Sequence, residues 1–285
     1  MVEQLLGHKV VDISCGGSHT LLATERGDAY AWGEGRYGAI GTPDTETDQF
    51  RPQKVIFQDN SNSHLKLVQI YKVSAGFKHS AFLDVQGVVY TCGSNEAGQL
   101  GIVSRSVSQL PRPVESFDKE AVQVACGRHQ TLILTSSGLV YACGANAEGQ
   151  LGVPTEHQAS LTPVLVEDIS HIPMSSVAAG TFSASIAKET GSLYLWGTGT
   201  FGEFKTPHRV RKIEQKAVQV SIGDCFGMAL TEDRRIYTWG INKNGQLGSG
   251  DFTDKPTPQL MQQISSEGRL ISQLSCGSNF ALCIG

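Results

Sequence analysis

"VYTCGSNEAGQLG" at Val89–Gly101, "VYACGANAEGQLG" at Val140–Gly152 and "IYTWGINKNGQLG" at Ile236–Gly248 are three near-copies of one thirteen-residue stretch. Copying at this scale is the signature of a repeat architecture, and the period extends outward along the chain. Each copy is preceded by a Gly that ends a short apolar run. These anchors are Gly16, Gly76, Gly127, Gly180, Gly223 and Gly277, spaced 60, 51, 53, 43 and 54 residues apart. Seventeen residues after the first five lie Gly33, Gly93, Gly144, Gly197 and Gly240, preceded by Trp32, Cys92, Cys143, Trp196 and Trp239. The chain has 32 Gly, and about three quarters of them hold repeat positions.

One repeat reads as short strands. After the anchor comes an apolar run such as "HTLLA" or "TLILT", then a turn, then "AYAWG" or "VYACG". Two such runs joined by a Gly-bearing turn form a hairpin. The turn Gly are Gly27, Gly87, Gly138 and Gly191; the fifth copy has Arg234. A positive φ is expected there, so Arg234 should cost roughly 1 kcal/mol. Further on, "RPQKV", "PRPV", "TPVLV", "TPHRV" and "PTPQL" put Pro ahead of a fourth strand, and "AVQV" segments lead into the next anchor. A helical turn or two is expected within "TPQLMQQISSEG", Thr257–Gly268. Four short strands per repeat predict an all-β chain of blades, a β-propeller. Repeats open near residues 10, 70, 121, 174, 217 and 271, read as one propeller domain over 1–285.

Composition narrows the function. The 285 residues carry 23 Lys+Arg and 27 Asp+Glu, a net charge of −4. No basic tail is present, so direct nucleic-acid binding is not expected. No apolar run reaches the ~18–20 residues of a membrane span. The N-terminal "MVEQLLGHKVVDIS" lacks the pattern of a secretory signal, and no Asn-x-Ser/Thr acceptor occurs. An intracellular protein of cytoplasm or nucleus is expected.

"GEGRYG" (Gly33–Gly38) and "GTGTFG" (Gly197–Gly202) match G-x-G-x-x-G, but turn sequences follow where a dinucleotide site needs a helix. Of the seven Cys, Cys15, Cys126 and Cys276 share one repeat position, and Cys92 and Cys143 stand where other copies place Trp. They read as small apolar fillers of a core slot, with no zinc spacing. His19 and His79 recur three residues after their anchors and read as structural hydrogen-bonding groups; His129 lies one position earlier in its copy. No catalytic set, cofactor or metal site is expected. Two segments escape the repeat. The connection 42–72 carries Asp44, Glu46 and Asp48, which could meet a basic partner. The shortened fourth repeat carries "KTPHRVRKIEQK", where Lys205, Arg209, Arg211 and Lys212 could meet an acidic one. Each has a plainer reading as a solvated loop or a charged blade edge. Loops on a rigid scaffold are where binding usually sits.

The alternation of "CGxxHT", a Gly turn, "VYxWG" and "GQLG" resembles the regulator of chromosome condensation repeat family, from about Val10 to the end. The first repeat has "GAIG", and the fourth breaks down to "GEFK". The resemblance implies a seven-bladed propeller. Five complete repeats and the opening of a sixth are present, so three readings stay open: part of a longer protein, a smaller or open ring, or an edge covered by a partner. The family includes a plant ultraviolet-B photoreceptor whose light-sensing Trp lie in "GWRHT" segments. The matching segments here are "GGSHT", "GFKHS" and "GRHQT", with no Trp. Family usage implies a protein-interaction scaffold within a larger protein or assembly. Its rival is guanine-nucleotide exchange on a small GTPase, which the founding member performs with a loop wedge. A ciliary or cytoskeletal setting is a third implication.

Overall fold

The computed structural model describes residues 5–43, 47–57, 68–154, 158–262 and 270–285. Its regular structure is almost entirely β. Five antiparallel four-stranded sheets follow one another along the chain. They are β1 (Val10–Cys15), β2 (His19–Thr24), β3 (Ala29–Gly33) and β4 (Gln49–Lys54); β5 (Ile70–Ala75), β6 (His79–Asp84), β7 (Val89–Gly93) and β8 (Ser108–Pro113); β9 (Ala121–Cys126), β10 (Gln130–Thr135), β11 (Val140–Ala145) and β12 (Ala159–Leu165); β13 (Met174–Ala179), β14 (Ser183–Ala187), β15 (Leu193–Gly199) and β16 (Gly202–Arg209); and β17 (Ala217–Ile222), β18 (Phe226–Thr231), β19 (Ile236–Gly240) and β20 (Lys255–Leu260). A two-stranded sheet, β21 (Gln273–Cys276) and β22 (Ala281–Ile284), follows. Each four-stranded sheet is a meander in sequence order, which is a propeller blade. Thr257–Leu260, expected to open a helical turn, is part of β20.

The chain divides into two compact units. The first holds Met1–Ser136, Tyr141–Ala145 and Ala159–Val164; the second holds Ser137–Val140, Asn146–Gln158 and Leu165–Gly285. Within the first, Leu21, Ile40, Val73, Phe82, Tyr90 and Cys92 pack together, and Phe57 meets Phe82 and Tyr90 edge-on at 5.4 Å. Within the second, Phe182, Ile186, Leu195, Val220, Ile222 and Trp239 form one cluster. Phe226, Met228, Leu230, Leu247 and Leu274 form another. The second strand of a blade is covered on both faces: every residue of β6, β10 and β18 is buried. That is why these strands read as continuous apolar runs rather than alternating ones.

Two glycine positions explain the period. A Cβ on Gly16 would lie 2.2 Å from the carbonyl oxygen of Gly76, and one on Gly180 would lie 2.0 Å from that of Gly223. Each of these anchors turns where the next repeat's backbone touches it, so no side chain fits. The hairpin turns do take positive φ: 85° at Gly27, 80° at Gly87, 85° at Gly138, 64° at Gly191, and 65° at Arg234. Arg234 donates from Nη1 to the Ile271 carbonyl at 3.2 Å, which offsets part of its strain.

Two expectations are corrected. Pro lies inside the fourth strands rather than before them: Pro52 in β4, Pro111 in β8, Pro163 in β12, Pro207 in β16 and Pro258 in β20. The fourth strand is the last of its sheet and bonds one neighbour only, so a missing N–H is tolerated. The core-filler reading holds for Cys92, Cys126 and Cys143, which are buried, but Cys15 is exposed and Cys276 half-buried. β1 is exposed along most of its length, so its repeat position does not carry the burial found in β9.

Candidate functional site

The repeated polar residues are structural. His19 Nε2 lies 2.8 Å from Ser80 Oγ, whose proton goes to the Ala39 carbonyl at 2.6 Å. His79 Nε2 lies 2.9 Å from Thr131 Oγ1, which donates to the Gln99 carbonyl at 2.7 Å. Each hydroxyl has spent its proton, so each His donates from Nε2 and is neutral. Burial lowers their pKa values to about 4 for His19 and about 3 for His79. Such chains hold repeats together and leave no free base for catalysis.

The same carbonyls receive a second donor. Cys92 Sγ points at the Ala39 oxygen and Cys143 Sγ at the Gln99 oxygen, both at 3.7 Å. In the fourth repeat Ser183 Oγ and Trp196 Nε1 both donate to Gln150, at 2.8 and 3.0 Å. Trp and Cys are therefore alternative donors to the middle of the preceding "GxxG" turn. The fifth repeat has lost this contact. Its Trp239 is buried with Nε1 unpartnered, and Gly227 replaces the hydroxyl residue. The cause lies one repeat back, where "GEFK" replaces the turn.

That replacement shapes the fourth blade. Third and fourth strands are joined by residues 34–48, 94–107, 146–158 and 241–254 in the other blades, and by Thr200 and Phe201 alone between β15 and β16. β16 is thus the second arm of a tight hairpin and, at eight residues, the longest strand described. An aromatic stack runs along it. Phe182 meets Phe201 edge-on at 4.7 Å, Phe201 stacks on Phe204 at 6.0 Å, and Phe204 on His208 at 4.2 Å. Lys205 and Arg209, each one residue further along, are exposed, as are Arg211 and Lys212 just past the strand. Lys205 has Glu203 at 3.8 Å, and Lys212 Nζ donates to Thr257 Oγ1 at 3.0 Å. The four cations expected from the sequence are thereby brought onto one strand and its exit.

The acidic connection is less of a site. Asp48 Oδ1 accepts the Gly35 N–H at 3.3 Å, closing its loop as Asp254 does for Asn242 N–H at 2.8 Å. Asp44 and Glu46 lie outside the described residues.

Two features were not found from the sequence. A groove of about 660 Å³ in the first unit is lined by Asp12, Glu25, Arg26, Tyr71, Lys72 and Gln123, among others. Its polar groups are largely engaged: Asp12 accepts from Ile13 and Val73 N–H, Lys72 donates to the Val122 carbonyl, and Glu25 pairs with Lys9. The second is a cluster of cations on aromatic rings around Tyr37, Phe77 and Arg128. Among the described residues, no group of three or more His, Cys, Asp or Glu is placed to hold a metal. No described helix is long and apolar enough to cross a membrane.

Comparison with known proteins agrees with this architecture. The chain is 32% identical over 277 residues to the Ultraviolet-B receptor UVR8 of Arabidopsis thaliana, covering 94% of this chain and 61% of that protein. It is 27% identical over 290 residues to the human probable E3 ubiquitin-protein ligase HERC6, covering 97% and 27%. It is 33% identical over 237 residues to the secretion-regulating guanine nucleotide exchange factor of Bos taurus, covering 77% and 49%. The chain therefore spans between a quarter and three fifths of these relatives. Among solved structures, human WBSCR16 matches with a TM-score of 0.86 at 23% identity, over 97% of this chain and 72% of that one. Prp20p of Saccharomyces cerevisiae, a structure concerned with binding to Gsp1p and histones, matches at 0.72 and 19%, over 96% and 82%. Both likenesses are of fold. The profile of the RCC1-like domain matches residues 1–283, and the chain belongs to that family.

Proposed function

We propose that this chain is a non-enzymatic protein-interaction scaffold, working as part of a larger protein or assembly, and that the basic strand β16 docks an acidic partner. One observation carries the reading. The fourth blade gives up its "GxxG" turn, and with it the partner of Trp239, and in exchange presents Lys205, Arg209, Arg211 and Lys212 along a stacked hairpin. A departure that costs a buried hydrogen bond is more informative than any conforming copy. Support also comes from the relatives, which are larger proteins with different activities. All seven Cys are free, which fits a reducing compartment, and we place the protein in the cytoplasm or nucleus.

A second reading, exchange on a small GTPase, is favoured by the 33% identity to a named exchange factor. Native co-purification without added GTP or GDP separates the two. The scaffold reading expects a stoichiometric assembly without a GTPase, lost at least tenfold in K205E/R209E/R211E/K212E while the melting temperature is unchanged. A small GTPase recovered free of nucleotide would install the exchange reading. Unchanged capture by the fourfold variant would remove β16 from it.

A further inference from the structure

In the first unit, five side chains from three consecutive repeats form an alternating row of cations and rings. Arg36 Cζ lies 5.6 Å from the Tyr37 ring centroid. Lys78 Nζ lies 4.2 Å from the same ring, donates to its hydroxyl at 3.2 Å, and is 5.7 Å from the Phe77 ring. Arg128 Cζ lies 4.8 Å from the Phe77 ring. The order is therefore Arg36, Tyr37, Lys78, Phe77, Arg128.

The row is held in place by its surroundings. A Cβ on Gly17 would lie 2.8 Å from Phe77 Cδ2, so the Gly makes room for the ring. His129 meets Phe77 edge-on at 6.3 Å. Tyr37 has a φ of 109°, a value a residue with a Cβ rarely adopts. The residues at its place in the other repeats, Ala97, Glu148, Phe201 and Asn244, have no positive φ. Backbone strain confined to one copy points to function rather than to the fold.

None of the three cations is in an ion pair among the described residues. Three positive charges are thus fixed, partly desolvated by rings, and unneutralised. A guanidinium stacked on a ring keeps its N–H fork free at the edge, which is the geometry a carboxylate takes up. The ring faces are occupied by the cations, so they do not offer a platform for stacking bases. Carboxylates also stand close by: Glu34 bonded to Ser18, and Glu96 beside His129. A continuous phosphate backbone would meet them, whereas a peptide can space its charges.

We propose that the row Arg36–Tyr37–Lys78–Phe77–Arg128 is a second docking surface, built to hold an extended acidic segment of a partner protein. It uses no residue of β16 and stands or falls separately from it.

The test is fluorescence anisotropy with a labelled decapeptide of five Gly-Glu repeats, and a Gly-Gln decapeptide as the uncharged control. The intact chain should bind the Glu peptide and not the Gln peptide, more weakly as salt rises. Lys78→Ala and Arg128→Ala should each weaken binding about tenfold, the range for charged contacts at an interface. Tyr37→Ala should weaken it less, and Arg128→Lys should recover part of the Arg128→Ala loss. Lys188→Ala, which removes an exposed cation outside both surfaces, should bind within twofold of the intact chain. Melting temperatures of the Arg128 variants should not move, because Arg128 is exposed. Four results would overturn the proposal: no binding by the intact chain, equal binding of the Gln peptide, undiminished binding by Lys78→Ala and Arg128→Ala, or tighter binding of a ten-nucleotide oligothymidylate. Self-association abolished by Arg128→Ala would overturn it too, since the occupant would then be a second copy.

Discussion

The two units answer the same structural question with different chemistry. Two or three residues after its anchor, each of the first five repeats buries a side chain. In the first unit these are His19, His79 and Gln130. The two imidazoles pass a proton to a hydroxyl, which passes its own to a carbonyl. In the second unit the equivalents are Phe182, two residues after Gly180, and Phe226, three after Gly223; the sixth repeat places Phe280 there, but exposed. Phe182 and Phe226 are buried in apolar clusters, and of the hydroxyls only Ser183 is kept. One backbone thus accepts a hydrogen-bonded chain or an aromatic wedge. The first is sensitive to protons and the second is not.

Acid should separate the two by the largest margin. His19 and His79 have folded pKa values of about 4 and about 3, below the unfolded value of about 6.5. Between these limits the unfolded state binds more protons, so stability rises with pH, is full above about 6.5, and is lost as pH falls towards 4 and 3. For His19 alone the effect is roughly 3 kcal/mol. Asp12, raised by burial, works in the opposite direction in the same unit. Hydrogen exchange at pH 7 and pH 4.5 should show β2 and β6 losing protection well before β14 and β18. His79→Phe should flatten that difference. Equal acid sensitivity of the two units would break the comparison.

A smaller effect sharpens it within the second unit. Trp196 donates to Gln150, and Trp239 is buried with its N–H unpartnered. Removing Trp196 loses a made hydrogen bond, although Ser183 still donates to Gln150, whereas removing the unpartnered N–H of Trp239 relieves a cost of about 1–3 kcal/mol. Trp196→Phe should therefore destabilise by about 1 kcal/mol more than Trp239→Phe in urea unfolding. The smallest effect is at the fifth hairpin. Arg234→Gly removes a strained positive φ but also the bond to Ile271, so a gain of about 0.5 kcal/mol is expected. A loss of stability there would mean that the side-chain bond outweighs the strain.

Much of the fold was legible because the repeat is written in residues with few alternatives. Gly at a positive φ, Gly where backbones touch, and an apolar second strand leave the same trace in each copy, and even Arg234 followed its position. Prolines in the fourth strands were misplaced because a sequence does not say which strand is last in its sheet. The orphaned Trp239 was hidden because its partner belongs to the preceding repeat, so the fault in "GEFK" surfaces some thirty residues later. The basic stretch on β16 was visible as contiguous charge. The row through Tyr37, Phe77 and Arg128 was not, because it joins a loop residue of the first repeat to the residues that follow the second and third anchors, and no single copy contains its pattern.

The central claim is that conforming residues build the body and departures from the repeat do the binding. Hydrogen–deuterium exchange of the chain, alone and with its natively co-purified partner, tests this directly. The account predicts that the partner slows exchange at the departures, over residues 200–212 and around 36–37, 77–78 and 128, and leaves the "GQLG" turns at 98–101, 149–152 and 245–248 unchanged. Protection confined to those turns, with the departures unaffected, would contradict it.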